Sequence, residues 1–235
     1  MNKKTRKKPP PDELDHILND HRRWLESGGS RGCRAELQCC DLSDRDLFGA
    51  VLEKAVLKYT DFSRANLRTA NLRQADLQGC RFHRAHMQWS ILNGARLQNN
   101  NLTEANLQFC DFSDTIMSGD DFAGAFFHNA YLGEAVLQSV NLTHTNLRFS
   151  IWSSSKLSRI NFTASTIRLA EFKYASLKEA DFSNAHIFNT DFSGSDFNEV
   201  DFTTARLKNV NFENTNLDQK WFQEACKPED AFDRH

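Results

Sequence analysis

Ala65-Asn66-Leu67-Arg68-Thr69-Ala70-Asn71-Leu72-Arg73-Gln74-Ala75-Asp76-Leu77-Gln78-Gly79 is one pattern written three times in a row. A large apolar residue stands at every fifth position, with a small residue two places before it. Followed outward, the large position runs without a slip from Leu37 to Phe222, giving 38 consecutive centres over 186 residues. Five is neither the helical period of 3.6 nor the strand period of 2, so the backbone must bend and reset once per repeat. The small position is mostly Ala, as at Ala35, Ala50, Ala85, Ala125 and Ala185, and elsewhere Cys, Ser or Thr, as at Cys80, Cys110, Ser150 and Thr190. One bulky and one small inward residue per short side, then a polar corner, describe a coil with four sides. Twenty residues make one turn, and coils must stack because a single one buries nothing.

The quoted stretch, together with Ala105-Asn106-Leu107-Gln108-Phe109 and Ala180-Asp181-Phe182-Ser183-Asn184, resembles the A-(D/N)-L-x-x pattern of the pentapeptide-repeat family. The resemblance covers about four fifths of the chain. It implies an all-β fold, the family's right-handed quadrilateral β-helix. The 186 residues correspond to about nine coils. At a strand spacing of roughly 4.8 Å the rod would be on the order of 45 Å long.

Four segments follow. Residues 1–11 are basic and Pro-rich, cannot bury apolar area, and are expected to be disordered. They read either as a solubilising leader or as a weak contact for nucleic acid or anionic lipid. Residues 12–29 predict an amphipathic helix capped by Asp12, with Leu14, Ile17, Leu18, His21, Trp24 and Leu25 on one side and Gly28-Gly29 ending it. The first coil would otherwise leave an open edge of unpaired backbone groups, so the helix should lay Leu18, Trp24 and Leu25 over it, with His21 packed. Residues 33–222 form the solenoid. Residues 223–235 are a C-terminal cap or tail, with Trp221, Ala225 and Phe232 available to cover the last coil, and a homodimer through one solenoid end stays open.

The formal net charge of −2 argues against a strongly basic nucleic-acid binder. No apolar run approaches membrane-spanning length, and no secretory signal opens the chain, so the expected compartment is a reducing cytoplasm. Six Cys occur without a CxxC pair, and three of them, Cys40, Cys80 and Cys110, take the small inward position as compact fillers. No metal and no cofactor is expected. There is no phosphate loop, HExxH or nucleophile elbow, and His83, His86, His128, His144 and His186 fall on outward positions of different coils. The chain therefore reads as a non-enzyme.

Several inward positions depart from the rule. Trp152 is large for its slot, and Ser150 and Ser155 should make room. Asn100 and Asp120 occupy the small position one coil apart, and a buried carboxylate is costly unless it accepts hydrogen bonds from Asn100 or corner amides. A tuned acid at Asp120 is the competing reading. Arg45 and Lys220 occupy the same kind of slot near the two ends, where long cations should reach solvent or the caps.

Function should lie on the outward positions. The side centred on Leu47, Leu67, Met87 and Leu107 carries Trp89, Phe109, Phe126, Arg148, Phe149, Arg168 and Phe188 outward, with Asp46 as its one acid. Outward rings interleaved with Arg suit a partner protein, which makes a binding or scaffold role the leading expectation. Two stretches lacking bases supply acidic candidates: Glu104, Asp111, Asp114, Asp121 and Glu134, then Asp191, Asp196 and Asp201. Some members of the family that this chain resembles mimic B-form DNA and modulate DNA gyrase, so gyrase is the alternative partner. Between Cys33 and Phe222, 22 acids face 19 bases, a weak imbalance for a mimic.

Overall fold

The computed structural model describes residues 6–217. Phe222, Lys220, Cys226 and the cap expected from Trp221 and residues 223–235 lie outside the described residues.

The backbone is a four-sided solenoid, because each repeat makes one corner and every coil pairs in parallel with the residue twenty places on. Side 1 carries centres Leu42 to Phe202, side 2 Leu47 to Leu207, side 3 Leu52 to Phe212 and side 4 Leu37 to Leu217. At Leu67 the corner is a turn in which Ala70 N–H donates to Leu67 C=O at 3.1 Å. Thr69 holds φ +58° there, and non-glycine residues repeat this left-handed geometry at most corners. Where a repeat carries Asp or Asn before its centre, that side chain commonly acts locally. Asn71 Oδ1 accepts the Arg73 N–H at 3.1 Å, and Asp61 Oδ1 accepts the Ser63 N–H at 3.0 Å. This Asx-type contact holds the bend.

Where corners open, the backbone runs as strand. On side 4 these are β1 (Asp76–Gln78), β2 (Arg96–Gln98), β3 (Ile116–Ser118), β4 (Val136–Gln138) and β5 (Lys156–Ser158), a parallel ladder with Leu77 opposite Leu97. On side 2 they are β6 (Thr166–Arg168), β7 (His186–Phe188) and β8 (Arg206–Lys208). Val140 and Ile160, bulky for the small position, close two such corners. Asn100 and Asp120 close two more, and Asn100 Oδ1 takes the Cys80 N–H at 2.6 Å, while Asp120 Oδ1 takes the Asn100 N–H at 2.8 Å. Side-chain acceptors from the next coil thus replace the turn bond.

The core is the interior of the rod. Leu42, Phe62, Phe82, Leu102, Phe122, Leu142, Phe162, Phe182 and Phe202 form one buried column. Its rings stack face to face, Phe162 on Phe182 at 4.7 Å and Phe182 on Phe202 at 4.7 Å. Such pairs add about 1 kcal/mol beyond their burial. Trp152 stacks on Phe172 at 5.5 Å, and its indole N–H donates to Ser150 Oγ at 2.7 Å, so Ser150 supplies both space and an acceptor. Asp120 accepts from Asn100 Nδ2 at 2.8 Å and Ser118 N–H at 2.9 Å as well as from the Asn100 amide, as its buried position requires.

The N-terminal end departs from expectation in two ways. The basic segment is not free from Arg6 onward. Asp41 N–H donates to Lys7 C=O at 2.8 Å, Arg6 pairs with Asp61 at 3.1 Å, and Arg45 donates from Nη2 to Pro9 C=O at 2.6 Å. The open edge of the first coil needs acceptors and donors, and this segment supplies them as a partial rung. The helix α1 (Pro11–Glu26) begins on Pro11 rather than on an Asp12 cap, with no side-chain cap bond. Its deepest residues are Leu14 and His21, with Ile17 and Leu18 packed beside them and Trp24 and Leu25 only half-buried. Trp24 instead stacks on the His21 ring at 5.8 Å. Buried His21 accepts the Ala35 N–H on Nδ1 at 3.1 Å, which fixes the helix to the start of the first coil.

Candidate functional site

Side 2 gathers the outward rings into one row. The residue two places after each centre points out at the corner, so Trp89, Phe109, Phe149 and Leu169 share a column. Trp89 lies flat on Phe109, with centroids 4.0 Å apart and planes 2° apart. Asn129 interrupts the column, and His128 fills the gap edge-on, 6.1 Å from Phe109 and 5.2 Å from Phe149. Trp89 remains 57% exposed and Phe149 38% exposed, so the stack does not hide them. Arg148 sits over Phe149 at 5.7 Å, Arg168 over Phe188 at 5.6 Å and Arg68 over Phe48 at 5.7 Å. These are cation–π distances.

Of the expected ring and Arg residues, all but Phe126 therefore form a continuous patch: Trp89, Phe109, Arg148, Phe149 and, one coil on, Arg168 with its ring partner Phe188. Phe126 stands apart at the opposite edge of side 2. There it lines an open depression of about 480 Å³ with Arg64, Arg84, His86, Glu104 and Asn106. Tyr131 and Ile151 extend the apolar surface around the corner onto side 3, at 44% and 38% exposure. Sequence reasoning passed over them. The available signal was an apolar residue where the repeat calls for Asp or Asn.

The acidic candidates are distributed differently. Glu104, Asp121 and Asp201 lie on side 1, Asp111, Asp114, Glu134 and Asp191 on the opposite side 3, and Asp196 on side 4. Many are occupied locally. Glu104 pairs with Arg84 at 2.8 Å, Asp111 and Asp201 accept from Ser113 and Thr203, and Asp191 sits 3.6 Å from Lys173. Hydrogen bonds from Thr203 hold the Asp201 carboxyl below its ordinary range, and the Arg84 guanidinium does the same to Glu104. Over the outward positions of the described residues, sides 1 and 3 each carry seven acids against three bases, side 4 is balanced, and side 2 carries five bases against one acid.

A family model of pentapeptide repeats matches in eight copies, over residues 35–74, 46–84, 80–119, 121–150, 153–184 and 185–219. The chain belongs to the pentapeptide-repeat family. Comparison with the sequences of curated proteins finds none that matches. Among solved structures, this pentapeptide-repeat protein is similar to HetL, a pentapeptide repeat protein involved in heterocyst differentiation regulation from the cyanobacterium Nostoc sp. strain PCC 7120. The TM-score is 0.59 at 21% identity, over 89% of this chain and 95% of HetL. It is also similar to QnrB1, a plasmid-mediated fluoroquinolone resistance protein, with a TM-score of 0.54 at 18% identity, over 77% of this chain and 91% of QnrB1. At these identities the likeness concerns the fold.

The buried polar groups of this pentapeptide-repeat protein serve the rod. Burial pushes the Cys80 and Cys110 thiols up to about 12, which keeps them protonated and inert. Burial likewise raises the Asp120 carboxyl to about 6, although no second acid or His joins it in its column. Among the described residues no three of His, Cys, Asp and Glu converge as metal ligands, and no helix is long and apolar enough to cross a membrane.

Proposed function

We propose that this pentapeptide-repeat protein is a non-enzymatic binding protein that holds a protein partner on side 2 of its rod. The observation that carries the reading is the Trp89–Phe109–His128–Phe149 row, exposed at Trp89 and Phe149 and half-buried between them, with Arg148 over its end. Rings that are preorganised by stacking lose little freedom on contact, which makes them effective anchors. Trp89 at φ +64° and Phe149 at φ +57° share the left-handed geometry of the other corners, which turns their rings outward from the rod.

The test is partner capture by the wild-type rod and by a variant carrying Trp89→Ser, Phe109→Ser and Phe149→Ser. Loss of capture with an unchanged β circular dichroism spectrum supports the reading, and retained capture rejects it.

A second reading is favoured by the two opposite acidic sides and by the fold shared with QnrB1: a DNA mimic that binds and modulates DNA gyrase. On that reading Glu104, Asp121 and Asp201 on one side and Asp111, Asp114 and Asp191 on the other stand in for phosphates. A gyrase supercoiling assay separates the two readings, since a side-2 scaffold leaves supercoiling unchanged at micromolar protein.

A further inference from the structure

We propose that the partner segment seated on side 2 is an acidic, extended peptide, an inference that rests on the side-2 reading above and names the chemistry of its ligand. The bases of side 2 are Arg68, Arg148, Arg168, Arg206 and Lys208. Among the described residues none of them has a carboxylate within ion-pair distance. The contrast with the adjoining side 1 is direct. There Arg64 pairs with Asp44 at 2.7 Å, Arg81 with Asp61 at 3.5 Å and Arg84 with Glu104 at 2.8 Å. Arg148 is half-buried, and its Nε has no hydrogen-bond partner. Among the described residues, all three outward bases on side 1 are neutralised internally, and sides 3 and 4 mix paired bases such as Lys58 and Lys173 with unpaired ones such as Arg73 and Arg159, whereas on side 2 every base is left for a ligand.

The charge pattern also fixes the ligand's width. The positive stripe lies between sides 1 and 3, each with four more acids than bases. One side is about 10 Å across, three residues of extended backbone. A single extended segment fits that stripe, whereas a broader polyanion such as a duplex would overlap two repelling walls. Length follows from the rungs. Trp89 and Lys208 are six coils apart, which at about 4.8 Å per coil spans about 29 Å, or some nine extended residues. Single-stranded nucleic acid is the other narrow polyanion, and it binds by stacking successive bases on free ring faces. Here Trp89 and Phe109 cover each other's facing sides at 4.0 Å and His128 stands edge-on between Phe109 and Phe149, which leaves few ring faces free for bases.

The experiment is fluorescence anisotropy with three labelled probes on the full chain. They are a ten-residue peptide alternating Asp/Glu with Leu/Phe, its Asn/Gln counterpart, and a ten-nucleotide oligodeoxythymidine. The acidic peptide is expected to bind at least tenfold more tightly than its neutral counterpart, to weaken with added salt, and to lose about tenfold or more with Arg148→Gln plus Arg168→Gln. The exposed Arg168→Gln alone gives a partial loss should the double variant fold poorly. Equal binding of the neutral peptide, no binding of the acidic one, or tighter binding of the oligonucleotide overturns the proposal. So does self-association that the double variant abolishes, which would make a second copy the occupant. If partner capture is lost with the triple Ser variant and kept with the double Gln variant, the acidic ligand is wrong while the side-2 face stands. Capture kept by both sets of variants removes both.

Discussion

Leu169 shows what a single corner residue costs. It holds φ +54° and is 46% exposed, in a backbone region that Gly and Asn enter most easily. A bulky L-residue in the left-handed region costs about 1–2 kcal/mol, and Asn tolerates it better. Leu169→Asn should therefore raise the melting temperature by about 2–4 °C, the shift for about 1 kcal/mol in a chain of this size. Thermal unfolding followed by circular dichroism checks this, and a lower melting temperature would mean that Leu169 packs more than its exposure suggests. Asp120 makes the second residue-scale prediction. Its carboxyl ordinarily titrates at 3.8 and is raised by burial to about 6, so between these values the folded chain holds a proton that the unfolded chain has lost. Stability from this group is thus full below about 4, falls as pH rises to about 6, and is flat above. In urea unfolding at pH 4, 5, 6 and 7, the wild-type chain should lose ground against Asp120→Asn across that window. A constant difference would place a permanently ionised carboxylate under its three N–H donors.

At the scale of elements, α1 and the segment before it close the first coil through one imidazole. His21 is buried, and burial lowers its pKa from the ordinary 6.5, so the folded chain keeps it neutral to accept the Ala35 N–H. As pH falls below about 6.5 the unfolded state gains a proton first, and the stability of the cap is lost progressively on the acid side. Protection factors at the amides of Leu14 to Leu18, with the intrinsic slowing of exchange toward acid divided out, should fall from pH 7 to pH 5, an excess of opening at acid pH. His21→Gln keeps an acceptor without a charge and should remove the excess, whereas an equal excess in both chains would place the acid sensitivity elsewhere. This element is only partly legible in the sequence. Helical spacing locates α1 to within a residue at its start, because Leu14, Ile17, Leu18 and His21 recur on one face. Amphipathicity does not say which apolar residue goes deepest, so it overstates Trp24. Nor does composition say that Arg6 to Pro10 are held, since their contacts depend on an edge that exists only once the coil has formed. The five-residue register, by contrast, is readable in full, because every repeat must satisfy the same inward pair. The ring row on side 2 is readable as a set of residues sharing one side. That His128 rather than Asn129 bridges Phe109 to Phe149 depends on side-chain reach and is not.

At the scale of the whole molecule, each coil stacks on the coils above and below it, through parallel pairing in which residues twenty apart sit in register, such as Leu77 with Leu97 and Ile187 with Leu207. Stability is then close to a sum of coil and neighbour terms, with the two ends as weak points. The three kinds of side, two acidic, one basic and one balanced, are equally a product of the twenty-residue register, because a residue's side is set by its place within the coil. That register works like a gear. Excising twenty residues, for instance 130–149, should return a shorter rod whose downstream surface keeps its heading. Excising five, for instance 150–154, leaves the inward pattern of large and small residues intact but turns everything after the cut by one quarter. Arg168, Phe188 and Lys208 would then face away from Trp89, so a chain could keep its fold and lose its aim.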